Sequence, residues 1–259
     1  MVLDKIAYAS QWRKKSPYLK SALATGTLLI CTCAQSFVIS AIALLVMSWL
    51  AVSCGKTSPA YFIKLLAAPL LFLTAGTAVI AVNFSPDPLD LCNLAFADGY
   101  IAVSRASLLY ALRLACVSLA SVSCLYFLSV TTPMPDLIVV LRSLKCPWLV
   151  IELMVMMYRY IFVLLDMAVA ISRAQDCRLG NRDAKTAIYS MGSMLSAVLM
   201  KALQRASQLF DAMESRCYDG KLHLLNETWQ TRPSERVAAG GYLAGLAAAA
   251  FLCRSFGGI

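Results

Sequence analysis

The chain has 259 residues, 60% of them hydrophobic and only 14% charged, with a mean hydropathy of +0.70. Ordinary soluble domains are about 45–50% apolar and about 25% charged, so this composition excludes a soluble globular domain and describes a membrane protein. The formal net charge of +9 does not indicate nucleic acid, because the basic residues flank apolar segments, where they bear on orientation in a bilayer.

The first twenty positions are polar and basic, with Lys5, Arg13, Lys14, Lys15 and Lys20. The apolar stretch behind them is too long for a cleaved secretory signal. Four apolar blocks then stand out, at 21–54, 65–82, 107–130 and 237–253. About 20 residues cross the hydrocarbon core as a helix, so the last three blocks each predict one span. The first is too long for one span and tight for two, and charge decides between them. The segment after 54 carries Lys56 and Lys64 with no acid, whereas 83–100 carries Asp87, Asp90 and Asp98 with no Lys or Arg. Positive charge marks the cytoplasmic side. Two helices turning near Gln35–Ser36 put both basic segments inside and the acidic loop outside. A single helix would do the reverse. The expectation is an all-α integral membrane protein with about five transmembrane helices, the N-terminus cytoplasmic and the C-terminus outside, in the cell (plasma) membrane.

The stretch 131–235 has balanced charge and abundant Leu, Met, Ala and Val at helical spacing, so it predicts packed cytoplasmic helices. One runs over 148–173. On it Glu152, Arg159, Asp166 and Arg173 recur at a constant interval of nearly two turns, which places them along one face with alternating sign. They form either a solvated stripe or a ladder of ion pairs. A second, amphipathic helix runs over 183–213, with Ile188, Met191, Leu195, Val198, Ala202, Leu209 and Met213 on one side and Lys185, Ser193, Lys201, Arg205 and Gln208 on the other.

The two helices end alike. The first closes with Ala174-Gln175-Asp176-Cys177-Arg178-Leu179-Gly180, the second with Ala212-Met213-Glu214-Ser215-Arg216-Cys217-Tyr218-Asp219-Gly220. Both read Ala-x-acid-small-Arg and then a glycine, which is a common helix stop, with a basic residue suited to the helix dipole. They are either two ordinary ends or two matched prongs, each offering a guanidinium for a bidentate pair with a partner's carboxylate.

These prongs resemble the two Ala-Arg-Gly motifs in the T components of energy-coupling-factor importers, in particular the cobalt-type CbiQ family. The motifs correspond to Cys177-Arg178-Leu179 and Ser215-Arg216-Cys217. The arginines match, with Cys177 and Ser215 in place of alanine and Leu179 and Cys217 in place of glycine. Further resemblances are Leu3-Asp4-Lys5-Ile6-Ala7-Tyr8 with Ser16-Pro17-Tyr18-Leu19-Lys20, then Ala68-Pro69-Leu70-Leu71-Phe72. Thr131-Thr132-Pro133 with Asp136, Leu137, Leu141 and Arg142 follows, and Tyr158-Arg159-Tyr160 completes the set. The resemblance implies a non-catalytic subunit whose coupling helices lie within 131–235. It would dock through Cys177, Arg178, Leu179 and Gly180, and through Ser215, Arg216, Cys217 and Gly220, onto two ABC-type ATPase subunits. In the bilayer it would serve a membrane-embedded substrate-binding S component, for cobalt or else for nickel or a vitamin.

Other classes fit less well. A membrane prenyltransferase needs clustered aspartates for magnesium, and Asp87, Asp90 and Asp98 fall on the outer side. An ion-coupled secondary transporter needs ionisable groups mid-span, and only Arg105 and Arg113 come near. There is no CxxC pair, Cys31, Cys33, Cys116 and Cys124 lie in apolar segments, and His223 is the one histidine, so no metal site or cofactor is expected. Cys177 and Cys217 read as small residues fitting a groove more readily than as redox thiols beside an arginine. His223 reads as a surface or interface residue.

Overall fold

The computed structural model describes residues 2–10, 12–13, 15–55, 58–85, 92–96, 99–103, 105–220, 229 and 233–256. Lys14, Lys56, Asp87, Asp90, Asp98 and His223 lie outside the described residues. The chain divides into two compact units, one of residues 1–140 with 228–259, the other of 141–227.

The first unit is built from α1 (Val2–Ala9), α2 (Pro17–Ala34), α3 (Phe37–Gly55), α4 (Pro59–Ala81), α5 (Arg105–Thr131), the start of α6 (Met134–Ser143) and the last helix, α9 (Pro233–Phe256). The expected hairpin in 21–54 is present: α2 and α3 are separated by Gln35–Ser36, with Gln35 left-handed (φ 45°) and its N–H on the Cys31 carbonyl. α5 is the central helix and touches α1, α2, α3 and α4, while α9 packs on α2. Leu23, Ala24, Met47, Ala51, Phe62, Cys124 and Phe127 form one buried cluster, and Cys31, Ile39, Ala43, Ala120 and Leu246 a second. Gly26 lets α9 close in, since a Cβ there would sit 3.0 Å from Leu243 Cδ2.

Two features depart from the expectation. The acidic connection after α4 is not a plain loop. It contains strands β1 (Val82–Ser85), β2 (Cys92–Phe96) and β3 (Gly99–Val103), in the order β1-β3-β2 with both pairings antiparallel. Val82, Phe84, Phe96, Tyr100, Ile101 and Val103 supply the β-branched and aromatic content that favours strands, a signal that the acidic residues had masked. The spans also differ. The helices long and apolar enough to cross a membrane are α3, α4, α5, α9 and the two long helices of the second unit, and α2 is not among them. α2 is more polar because it carries Lys20 and several hydroxyls, of which Thr25, Thr27 and Thr32 donate to the carbonyls of Ser21, Leu23 and Leu28 at 2.6, 2.7 and 2.8 Å.

Several polar contacts in this unit share one pattern, a side-chain donor on a carbonyl at a helix end or break. Ser10 Oγ donates to the Cys54 carbonyl at 2.9 Å, in the last turn of α3. Tyr126 Oη donates to the Leu65 carbonyl at 3.2 Å. Pro69 stands four residues beyond Leu65 inside α4 and has no N–H, so that carbonyl has lost its helical donor. Arg113 Nε donates to the carbonyl of Gln35 and so ties α5 to the α2–α3 turn. Tyr126→Phe should lower the thermal stability of the protein in lipid nanodiscs by about 1 kcal/mol. Adding Pro69→Ala should restore most of that loss, because an alanine at this position supplies the missing N–H, and a thermal unfolding series on the two single variants and the double variant checks it.

Candidate functional site: two arginine-bearing helix ends

The second unit holds the end of α6, then α7 (Trp148–Cys177) and α8 (Ala184–Glu214), close to the expected boundaries. Both helices close with the same hydrogen bonds. After α7, the N–H groups of Arg178, Leu179 and Gly180 reach the carbonyls of Gln175, Asp176 and Gln175 at 3.0, 3.0 and 2.8 Å. After α8, those of Arg216, Cys217 and Tyr218 reach Met213, Glu214 and Met213 at 3.0, 3.0 and 3.1 Å. This is the Schellman closure, in which the residue past the cap is left-handed. That residue is Leu179 at one end and Cys217 at the other, each with φ 57°. The two arginines therefore occupy equivalent backbone positions, and both are exposed, as are Cys177, Leu179, Ser215 and Cys217.

The glycines do not act as the sequence suggested. Neither provides the left-handed stop. Gly180 follows it and permits a close approach, since a Cβ there would meet Ser190 Oγ at 2.8 Å and the Gln175 carbonyl at 3.0 Å. Gly220 has φ 81° and lies beyond the closure in open space. A third end of the same kind closes α6, where Leu144, Lys145 and Cys146 donate to Leu141, Arg142 and Leu141 at 3.1, 3.2 and 3.4 Å, with Lys145 left-handed at φ 61°. Leu144 stands there in the position of the arginines. Arg142 instead lies over the Trp148 ring at 4.9 Å.

Both tips are tied to the neighbouring helix. Gln175 Nε2 donates to the Ser190 carbonyl and Ser190 Oγ to the Gly180 carbonyl, each at 2.8 Å, and Ser190 is buried. Asn181 donates to Asp176 beside them. At the other tip, Tyr218 donates its phenol to the carboxylate of Glu152, near the start of α7. The carboxylate acceptor pushes the Tyr218 phenol up to about 12. Of the four stripe residues, Glu152 alone is buried, while Arg159, Asp166 and Arg173 are exposed. Gln175, Ser190 and Tyr218 were not singled out as site residues from sequence. For Gln175 and Tyr218 the one visible signal is a polar side chain close to an arginine-bearing end; Ser190, in the second turn of α8, carries none.

Chemically the site offers two exposed guanidiniums on helix ends closed by the same hydrogen-bond set. Among the described residues no three His, Cys, Asp or Glu side chains gather to hold a metal. Six helices among the described residues, long and apolar enough to cross a membrane, define the class as a helical, multi-pass membrane protein, here with two exposed basic tips. The family model for the cobalt transport protein CbiQ matches residues 9–225. The chain is 30% identical over 236 residues to the cobalt transport protein CbiQ of Rhodobacter capsulatus, covering 90% of this chain and 88% of the relative. It is 27% identical over 227 residues to that of Salmonella typhimurium, covering 86% and 99%. It is also 30% identical to a putative fused cobalt transport protein CbiMQ of Methanocorpusculum labreanum, over 92% of this chain and 40% of that longer protein. The chain belongs to the CbiQ family of cobalt transport proteins.

Left-handed backbone costs a non-glycine residue about 1 kcal/mol. Leu179→Gly and Cys217→Gly should therefore each stabilise the second unit by about that amount. Gly180→Ala should destabilise it through the contacts with Ser190 and Gln175. Thermal unfolding of the three variants in nanodiscs checks both signs.

Proposed function

We propose that this chain is the transmembrane coupling subunit, or T component, of an ATP-driven energy-coupling-factor importer for cobalt. It sits in the cell membrane with its N-terminus cytoplasmic, and α7 and α8 are its coupling helices. The observation that carries this reading is the pair of equivalent, exposed ends bearing Arg178 and Arg216. Two copies of one docking element suit two ATPase subunits, one arginine to each. A guanidinium pairs bidentately with a carboxylate, and a helix end built on a fixed hydrogen-bond set carries force without folding over.

The placement of α7 and α8 on the cytoplasmic side rests on charge. Both are apolar and long enough to span. Any window of about 20 residues along α7 nevertheless includes at least two members of the Glu152, Arg159, Asp166, Arg173 series, at about 2.5–3.5 kcal/mol each in a bilayer centre. α8 adds Lys185, Lys201, Arg205, Asp211 and Glu214. Amphipathic helices at the membrane face avoid that penalty. In the working cycle the ATPases close on ATP and reopen after hydrolysis. Arg178 and Arg216 pass that motion into α7 and α8, and a separate S component captures the substrate and is reoriented. Arg113 serves as a turn cap, which supports this reading over ion-coupled secondary transport.

Arg178→Ala and Arg216→Ala should each weaken assembly with the ATPases and the double change should abolish it, since losing one partner of a buried charged pair costs about 3–5 kcal/mol. Affinity purification of the chain from native membranes in mild detergent, wild type beside the double variant, tests this. A stoichiometric ABC ATPase that disappears with the double variant is the expected result. Wild-type protein that brings down no ATPase overturns the coupling role.

A further inference from the structure

We propose that Lys20 is a positioning residue that locks the α5–α6 elbow, so that α6 transmits force between the coupling helices and the bundle instead of bending. This rests on the coupling role above. Lys20 is completely buried in the first turn of α2, at 0% exposure, whereas nearby Lys15 is partly exposed and paired with Glu235 at 2.8 Å. Its Nζ donates to the Thr131 carbonyl at 3.1 Å. Thr131 is the last residue of α5, and its carbonyl would accept from residue 135 if the helix continued. Residue 135 is a proline, as is 133, so no backbone donor is available at 135 and the ammonium takes its place.

The surroundings reinforce the lock. Thr131 Oγ1 donates to the Phe127 carbonyl at 2.7 Å, Thr132 N–H to Leu128 at 2.9 Å, and Asp136 N–H to Pro133 at 3.1 Å. Thr131, Thr132, Asp136 and Ile138 are all buried, and the Asp136 carboxylate supplies the strongest favourable charge felt by Lys20. Buried opposite charges are a poor way to gain stability, because well-packed apolar residues do as well. What they add is one defined geometry. The division between the two units falls between Val140 and Leu141, inside α6, so this helix is a covalent route by which movement of one unit reaches the other. Its anchored end is the elbow that Lys20 holds.

The test uses the importer complex as it copurifies, reconstituted in proteoliposomes, with ATP hydrolysis and Co2+ uptake measured on the same samples. Lys20→Met keeps the length and removes the donor and charge, and Lys20→Arg keeps both. Expected for Lys20→Met is a complex of wild-type stoichiometry and near-normal ATP hydrolysis, with uptake per ATP about tenfold lower, within the range by which residues on a coupling route alter communication. Lys20→Arg should recover most of that uptake. Unchanged uptake per ATP in Lys20→Met overturns the proposal, as does a proportional fall of hydrolysis and uptake. If Lys20→Met does not accumulate, Lys20→Met with Asp136→Leu removes the opposite charge as well, and the same uncoupling is expected. Normal coupling in that double variant overturns the proposal. A wild-type preparation without an ATPase refutes the coupling role instead, so the two failures are distinguishable.

Discussion

The molecule is organised around one constraint: a carbonyl oxygen that loses its helical donor inside an apolar bundle has no water to turn to. An orphaned backbone group in such surroundings costs several kcal/mol. Helices must nevertheless end, turn and break, and each of these events frees carbonyls. Here the donors come from distant parts of the chain. Ser10 serves the end of α3, Tyr126 the break at Pro69, Arg113 the turn at Gln35, and Lys20 the elbow at Thr131. Each repair is also a tertiary contact between distant stretches of chain, so satisfying the backbone and fixing the packing are one operation. The residues involved need not be apolar, which is why a lysine is buried completely in a chain so poor in charge.

The second unit answers the same constraint at its helix ends by curling the chain back on itself. The Schellman closure uses the freed carbonyls of the last turn internally, and the ties through Gln175, Ser190 and Tyr218 add side-chain donors. The arginines at the tips are thereby released from structural duty and remain exposed, in contrast with Arg113 and Lys20, whose cations are consumed by the fold. A cation with no internal task is the one available to a partner.

Much of this was legible in the sequence. The α2–α3 turn at Gln35 followed from block length and charge balance, and the extents of α7 and α8 followed from apolar spacing. The family followed from an ordered series of short motifs. The misses have physical reasons. The sheet between α4 and α5 was hidden because its acidic residues drew attention to orientation and away from the alternating Val, Phe, Ile and Tyr around them. The left-handed positions fell on Leu179 and Cys217 because closure is set by the hydrogen-bond pattern, which a neighbouring glycine only imitates in sequence. The roles of Arg113 and Lys20 could not be read because their partners are carbonyls, and every residue carries one. The third closure at Lys145 has Leu144 where the other two carry arginine, and no glycine after it, so nothing marked it.

The two ties between α7 and α8 have a metrical consequence. One joins the end of α7 to the start of α8 through Ser190, the other joins the region past α8 back to the start of α7 through Glu152. The helices therefore run antiparallel as a strut fixed at both ends, and the arginines are spaced by the helix between them, on the order of 40 Å at 1.5 Å per residue. Such an element is a ruler. Inserting or deleting a single residue in α8 would change the spacing by little but would turn one tip by about 100° around the axis. Helix length and phase are thus as much a part of the recognition surface as the guanidiniums, and α8 should tolerate changes of residue type far better than changes of residue number.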